Sequence, residues 1–198
     1  CWRGGQRSGL TQQWLAQRGV QRPRIDGGFK ALRQQSLAIL NHPEKTFWLL
    51  GGRTGSAKTV IIRGLHNSID LEGHANHRGS AFGRRLTPQP STVTFECALT
   101  IDYLNHAQRN LVVEDESRTI GSVGLPERWH QCMQQADIAL LEVNIEQRVA
   151  HIKQEYVDEA LIEAAQRGLT EEHLHQQYQS ALLRIGKRLG GARMQTLQ

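Results

Sequence analysis

Gly52-Arg53-Thr54-Gly55-Ser56-Ala57-Lys58-Thr59 is the stretch whose residue types and spacing speak most directly of chemistry. It fits the phosphate-loop pattern G-x-x-x-x-G-K-S/T, except that Ala57 stands where the last glycine belongs. Glycines such as Gly52 and Gly55 let a backbone turn its N–H groups inward around phosphate oxygens. Lys58 supplies a mobile cation, and Thr59 a hydroxyl able to ligate Mg²⁺. If position 57 needs a positive φ, alanine there costs on the order of 1 kcal/mol; if it is helical, alanine costs nothing. The bland alternative is a glycine-rich strand-to-helix turn with no ligand.

A second candidate is Cys1-Trp2-Arg3-Gly4-Gly5-Gln6-Arg7-Ser8. Gly4 and Gly5 free loop N–H groups to face a sulfur, while Arg3 and Arg7 add positive charge. Together these favour a thiolate, the nucleophilic form. An N-terminal nucleophile using the amine of Cys1 as base needs a layered β-sandwich, which the alternating pattern below does not supply. The plain alternative for Cys1 is an ordinary residue with no reaction to perform. Cys97 and Cys132 fall on apolar helical stripes and read as buried structural thiols.

Glu114-Asp115-Glu116 follows the apolar run Leu111-Val112-Val113, as an acidic strand end beside a phosphate loop would. Glu114 and Asp115 are the candidate Mg²⁺-holding or basic carboxylates; a solvated strand end is the competing reading. The polar stretch Asp70 to Ser80 contains His74, His77 and Arg78. Without cysteine partners, its histidines make a poor zinc signature, and no metal site is assigned. Contact with phosphate, base or carboxylate suits them better, against a flexible surface loop.

These residues require elements to hold them. Phe47-Trp48-Leu49-Leu50 reads as a buried parallel strand feeding the phosphate loop, with a helix after it to about residue 66. Leu111–Val113 and Ile138–Val143 are two more strands. Val93, Cys97, Ile101 and Leu104 mark one helical stripe, and Trp129, Cys132, Met133 and Ala136 another, opened by Pro126. Asn144 and Gln147 form an N-cap pair for a helix carrying Ile145, Val149, Ile152 and Tyr156. A basic amphipathic helix from about 171 to 188 closes the chain. Alternating strands and helices imply a parallel sheet covered on both faces, hence an α/β fold. Before it, a helix over about residues 9–18 precedes an extended segment and a Gly27-Gly28 turn, and another helix begins near Ser36. Residues 1–35 are too few to fold alone, 36–45 form a linker, and 46–198 the main domain.

Composition limits the classes open to this chain. Its 198 residues, 38% of them hydrophobic, support a globular core, and the net charge of +5 favours polyanionic partners. There is no run of about 18 apolar residues, so no membrane helix is expected; nor is a signal peptide expected at Cys1-Trp2-Arg3. Three scattered cysteines argue against a disulfide framework and for a reducing cytoplasm.

The cysteine loop, the 52–59 loop and the block Asp70-Leu71-Glu72-Gly73-His74-Ala75-Asn76-His77-Arg78-Gly79-Ser80-Ala81-Phe82-Gly83 occur in one order, followed by Val113-Glu114-Asp115-Glu116-Ser117-Arg118 and Ile120-Gly121. In this the chain resembles the bacterial tRNA 2-selenouridine synthases over nearly its whole length. The resemblance implies a P-loop NTPase-like sheet flanked by helices, preceded by the C-terminal remnant of a rhodanese-like α/β domain. It implies geranylation of wobble 2-thiouridine in tRNA from geranyl diphosphate, then replacement of the S-geranyl group by selenium from selenophosphate. Cys1 aligns with the family's rhodanese cysteine, and Gly52, Gly55, Lys58 and Thr59 with its phosphate loop. Two departures stand out. The strand that leads into the cysteine, with most of the rhodanese sheet, is missing, and Ala57 replaces a glycine. The chain is therefore expected to keep its phosphate domain but to be only partly active, with weak or no selenium transfer. His77, Arg78, Arg118 and the late basic residues Arg184, Lys187 and Arg188 are the expected tRNA contacts. No tightly bound cofactor is expected beyond the two co-substrates, with Mg²⁺ as an option. The rival readings are a small-molecule or nucleotide kinase using ATP and Mg²⁺ at the same loop, and a non-catalytic RNA-binding module.

Overall fold

The computed structural model describes residues 1–189, with side chains to residue 186. Strands β1 (Thr46–Gly52), β2 (Ser68–Ile69) and β3 (Asn110–Glu114) share one parallel sheet with the strand Asp137–Leu141. A short antiparallel hairpin, β4 (Thr119–Ile120) and β5 (Val123–Gly124), stands apart, so the fourth sheet strand is β6. Spatial order is β2-β3-β1-β6, which places the strand feeding the phosphate loop between two parallel neighbours. In such sheets the crevice beyond the carboxyl end of a strand flanked on both sides is where ligands bind. The α/β fold is as expected.

The first helices are α1 (Gln6–Gln17) and α2 (Gly28–Asn41). After β1 comes α3 (Lys58–Gly64), after β2 α4 (Leu71–Ala75) and α5 (Thr92–Asn105), and after β5 α6 (Glu127–Gln134). Beyond β6 lie α7 (Ile145–Lys153), a π-helical turn at Gln154–Asp158, α8 (Glu159–Gln166) and α9 (Glu171–Leu189). None of these is long and apolar enough to cross a membrane, among the described residues.

One face of the sheet packs on α2, α5 and α6 through Phe47, Leu49, Leu111 and Val113 against Leu40, Phe95, Leu99 and Trp129. Trp129 is fully enclosed, its ring 4.6 Å from Phe47 and 5.3 Å from Tyr103. The α6 stripe of Trp129 and Met133 is buried as its spacing predicts, and Pro126 sits one residue before the helix as its cap.

Elsewhere the structure corrects the periodicity. On α5 the buried residues are Phe95, Leu99 and Tyr103, with Glu96 and Thr100 beside them, while Val93, Ile101 and Leu104 face outward. The polar pair is buried because α2 supplies its partners: Ser36 and Thr100 hydroxyls lie 2.6 Å apart, and Arg33 pairs with Glu96. Cys97 and Cys132 are half-buried instead of enclosed. Nor is the sheet covered throughout. Ile138, Ala139 and Leu140 on β6 are all exposed, with Trp48 beside them. The register pairs Leu49 with Ile138 and Gly51 with Leu140, one strand beyond the reach of α2, α5 and α6.

Residues 1–27 hold one helix and no strand, and α1 buries none of its side chains. The second helix begins at Gly28, eight positions before the expected Ser36, so it runs unbroken through the 35/36 division. Its second half carries Leu40 into the main core.

Candidate functional site

Strand β1 ends at Gly52, and the chain turns through Arg53–Ser56, closed by the Ser56 N–H donating to the Arg53 carbonyl at 3.0 Å. A side chain on Gly52 would put its Cβ 2.5 Å from Ser56 Oγ, so the tight turn requires glycine. Ala57 caps α3 with φ 60° and ψ 29°, the left-handed region that disfavours a Cβ. The loop thus keeps the geometry of the missing glycine and carries its strain. Lys58 reaches back over the loop, its Nζ donating to the Gly52 carbonyl at 2.8 Å.

Helix α7 holds the loop from the other side. Arg148 Nε donates to the Thr54 carbonyl and His151 Nδ1 to the Gly55 carbonyl, each at 3.0 Å. At Gly55 a Cβ would stand 2.5 Å from the Arg148 carbonyl oxygen, so helix and loop touch backbone to backbone.

Thr59 Oγ1 donates to Glu72 Oε2 at 3.1 Å, and Glu72 and Glu116 face each other across Gly79, where an added Cβ would lie 2.6 Å from Glu72 Oε1 and 2.4 Å from Glu116 Oε1. Burial first, then the charge of Glu72, pushes Glu116 up to about 8. Glu72 is raised as well, chiefly by burial, against the opposing effect of its hydrogen bonds and of Lys58. Two carboxyls facing each other in a half-dry site resist ionising together, so the proton affinity of the pair is raised although Lys58 opposes it.

Glu114 is fully buried and accepts the Leu71 N–H at 2.8 Å. Its other oxygen has no partner among the described residues. Burial, then the charge of Asp70, pushes it up to about 9. Asp115 is exposed just past the end of β3. Among the described residues, the acidic residues that line the loop's cavity are therefore Glu72, Glu116 and Glu155, and neither Glu114 nor Asp115 does.

The block after α4 forms the roof. Asn76 ends α4 in the left-handed region, and its Nδ2 donates to Thr87 Oγ1 at 2.7 Å. Gly79 lies on the carboxyl pair, where a Cβ would be 2.4 Å from Glu116 Oε1. Ser80 and Tyr156 hydroxyls meet at 2.8 Å, and Arg78 donates to the Glu155 carbonyl at 2.9 Å while stacking 5.1 Å from the Tyr156 ring. The space enclosed is about 70 Å³, room for about two waters.

Of the residues expected to meet RNA, Arg78 thus turns inward. His77 is 8% exposed, and burial, then Arg85 and Arg78, hold it below the ordinary histidine value. Arg118 is exposed at the foot of the β4–β5 hairpin and Arg184 is exposed on α9, while the side chains of Lys187 and Arg188 lie outside the described residues.

The cysteine loop is a separate place. Cys1 Sγ is exposed and accepts the Ser8 hydroxyl at 3.1 Å. Gly4, at φ 65°, crosses Gly28 so closely that a Cβ on Gly28 would come 2.2 Å from the Gly4 nitrogen. Arg3, Gly5 and Arg7 are exposed around it. A cleft of about 470 Å³ runs from Cys1 and Arg7 between α1 and α2, past Leu15, Phe29 and Leu32; none of its lining residues belongs to the phosphate loop cavity.

Sequence reasoning missed Glu72, Glu116, Arg148 and His151. Glu72 sits inside the recognised 70–83 block and Glu116 inside the noted acidic triplet, so their types were visible but their facing was not. Arg148 and His151 gave no signal beyond two polar positions on an amphipathic helix.

Comparison with known proteins yields a consistent picture. The family described as the tRNA 2-selenouridine synthase AAA domain matches residues 45–198. A protein of Pseudomonas paraeruginosa named tRNA 2-selenouridine synthase is 46% identical over all of this chain and 56% of its own length. The protein of that name from Cupriavidus necator is 44% identical over 98% of this chain and 55% of its own length; that from Azotobacter vinelandii is 43% identical over all of this chain. The chain spans a little over half the length of these curated relatives. No solved structure matches it.

Proposed function

Because this chain belongs to the tRNA 2-selenouridine synthase family, we propose that it carries the phosphate-gripping part of a tRNA-modifying enzyme, together with its reactive thiol. The reaction is geranylation of wobble 2-thiouridine from geranyl diphosphate, followed by exchange of the S-geranyl group for selenium from selenophosphate. The observation that supports it is the convergence of Lys58, Thr59, Glu72 and Glu116 on the 52–59 loop.

The thiocarbonyl sulfur attacks the allylic carbon of the geranyl chain, the carbon–oxygen bond breaks, and its electron pair leaves with diphosphate. Negative charge grows on the departing oxygens, so preorganised donors there lower the barrier. Lys58 exchanges its hold on the Gly52 carbonyl for those oxygens, alongside the loop N–H groups. Arg148 and His151 keep the carbonyls of Thr54 and Gly55 turned away from the phosphates. Arg78–Ser80 roofs a space of about 70 Å³ through its bonds to Glu155 and Tyr156, and lifting of that segment would widen it for a diphosphate.

Mg²⁺ fits the residues present: the Thr59 hydroxyl with Glu72 or Glu116, the rest of its shell coming from water and phosphate. When bound it would neutralise phosphate charge. Cys1 serves the selenium step as chalcogen carrier or attacking thiolate, its exposed sulfur steadied by Ser8. A rhodanese-like origin for residues 1–35 belongs to this same reading.

Titration calorimetry with geranyl diphosphate and with ATP tests the proposal. Geranyl diphosphate should bind, and Lys58→Ala should weaken it by about 10- to 100-fold, the worth of a charged hydrogen bond. Mass analysis of nucleosides after incubation with thiolated tRNA and geranyl diphosphate alone should find the S-geranyl product. Tight ATP binding with no isoprenoid diphosphate binding would instead make the loop that of a kinase.

A further inference from the structure

A larger cleft, about 710 Å³, adjoins the phosphate site. Gly79 and Ser80 line both, so this short segment is the wall between them. Its size is that of a ligand pocket, and its composition is one-sided. Arg84 and Arg184 contribute to the lining, and among the described residues no carboxylate does. Among the described residues neither guanidinium takes part in an ion pair. Two cations facing an acid-free cleft suit a phosphate-bearing ligand.

The inner wall of the cleft is rigid. Gln89 Nε2 donates to the carbonyls of Ala75 at 2.8 Å and Ile120 at 3.0 Å, and its Oε1 accepts the Ser122 N–H at 2.7 Å and hydroxyl at 3.0 Å. Every polar atom of that amide is thereby engaged, fixing the β4–β5 turn to α4. His77 is wedged beside it between two glycines: a Cβ on Gly121 would lie 2.7 Å from its Cδ2, and one on Gly83 would lie 3.0 Å from its Cε1. Side chains at either position would drive into the ring, so the chain has left space for an imidazole here. Yet the ring, more than nine-tenths buried, makes no hydrogen bond among the described residues, and its Nδ1 is an orphan there. A buried polar atom without a partner calls for an explanation, and the ring that carries it stands in the wall of the cleft.

We propose that this cleft is the acceptor subsite, seating one unstacked nucleotide of a single-stranded RNA loop. The base lies against His77 and the glycine turn at Gly121, and the flanking phosphates lie against Arg84 and Arg184. The inference rests on the tRNA reading above and adds where the acceptor sits. RNA readers take bases splayed from loops into such pockets and bond their edges. The shared wall at Gly79–Ser80 then sets the acceptor base beside the departing diphosphate, and movement of that one segment opens both sites.

Fluorescence anisotropy with a labelled anticodon stem–loop bearing 2-thiouridine, at several salt concentrations, is the test. The double variant Arg84→Ala/Arg184→Ala should lose at least about tenfold in RNA affinity. Its log–log salt slope should become shallower by about 1.4, two contacts' worth on a single strand. Geranyl diphosphate affinity, measured by calorimetry on the same variant, should stay within about twofold. His77→Gln, which keeps a hydrogen-bonding end without the ring, should weaken RNA binding with no change in salt slope. If the parent chain binds RNA and the double variant binds it equally well with the same slope, the subsite is elsewhere, while the phosphate reading survives. If saturating geranyl diphosphate displaces the RNA, the two ligands share one site and the proposal fails. If the parent binds no RNA at all, this inference and the tRNA reading fall together, whatever geranyl diphosphate does.

Discussion

The loops at 1–8 and 52–59 look alike as sequences, each with glycines, arginines and a reactive group, but the fold treats them in opposite ways. The second is gripped by β1, by the Arg148 and His151 bonds of α7 and by the Gly79 roof. The first is held by the Gly4–Gly28 crossing, by the Lys30 N–H donating to the Trp2 carbonyl at 2.8 Å, and by the Trp2–Phe29 ring pair at 5.6 Å. Beyond it, α1 leaves Trp14 63% exposed and Leu10 48% exposed. Glycine marks where backbone may come close to something. Whether that closeness becomes an enclosed site depends on what packs around it.

The largest effect that tests this contrast is on stability. Trp129→Ala should cost about 3–5 kcal/mol, the usual range for emptying a buried aromatic, measured by urea denaturation followed by circular dichroism. Trp14→Ala, at the exposed position on α1, should fall within about 0.5 kcal/mol of no change. Equal losses would mean that α1 is as integral to the folded unit as α6, and the contrast would dissolve.

A smaller effect is pH dependence confined to the enclosed site. The folded value of Glu116, about 8, stands above the ordinary 4.5 of the unfolded chain, so the folded protein binds more protons between them. Stability is then fully present below about 4.5 and declines as pH rises through about 8. Glu116→Gln cannot titrate, and thermal melts of this variant should decline less over that window. Glu114, near 9, leaves a residual decline at the alkaline end. Superimposable profiles for parent and variant would show that the fold does not raise Glu116.

The smallest effect concerns strain. Ala57→Gly relieves a left-handed alanine and should add about 0.5–1 kcal/mol after the entropy that glycine loses, a rise of about 2 °C in Tm. A fall in Tm would place the strain elsewhere in the loop.

Features fixed by near neighbours could be read from the sequence. The strand at 46–52, the tight loop after it and the Trp129–Met133 stripe follow from adjacent residue types and short periods. So does the Asn144 cap, which accepts the Gln147 N–H at 2.9 Å as its spacing predicts. The stripe on α5 was misread because Val93, Ile101 and Leu104 have the right spacing for a helix face, and only the position of α2 decides which face is inside. Ile145 and Val149 failed likewise: α7 is oriented by its bonds to the phosphate loop, which leave both exposed.

By itself, then, the sequence determined the three main strands of an α/β fold, the phosphate-loop turn and the family, but not β2, α4 or the β4–β5 hairpin. The tertiary structure alone decided that Glu72 and Glu116, far apart along the chain, meet beneath Gly79 with raised proton affinity. It also decided that, among the described residues, His77 lies buried with an unpartnered nitrogen in the wall of a cleft whose two arginines make no ion pair. The physical reason is range. Backbone conformation and helical spacing are set within a few residues, whereas burial, charge pairing and the protonation they impose are set by whichever distant segments the fold brings into contact.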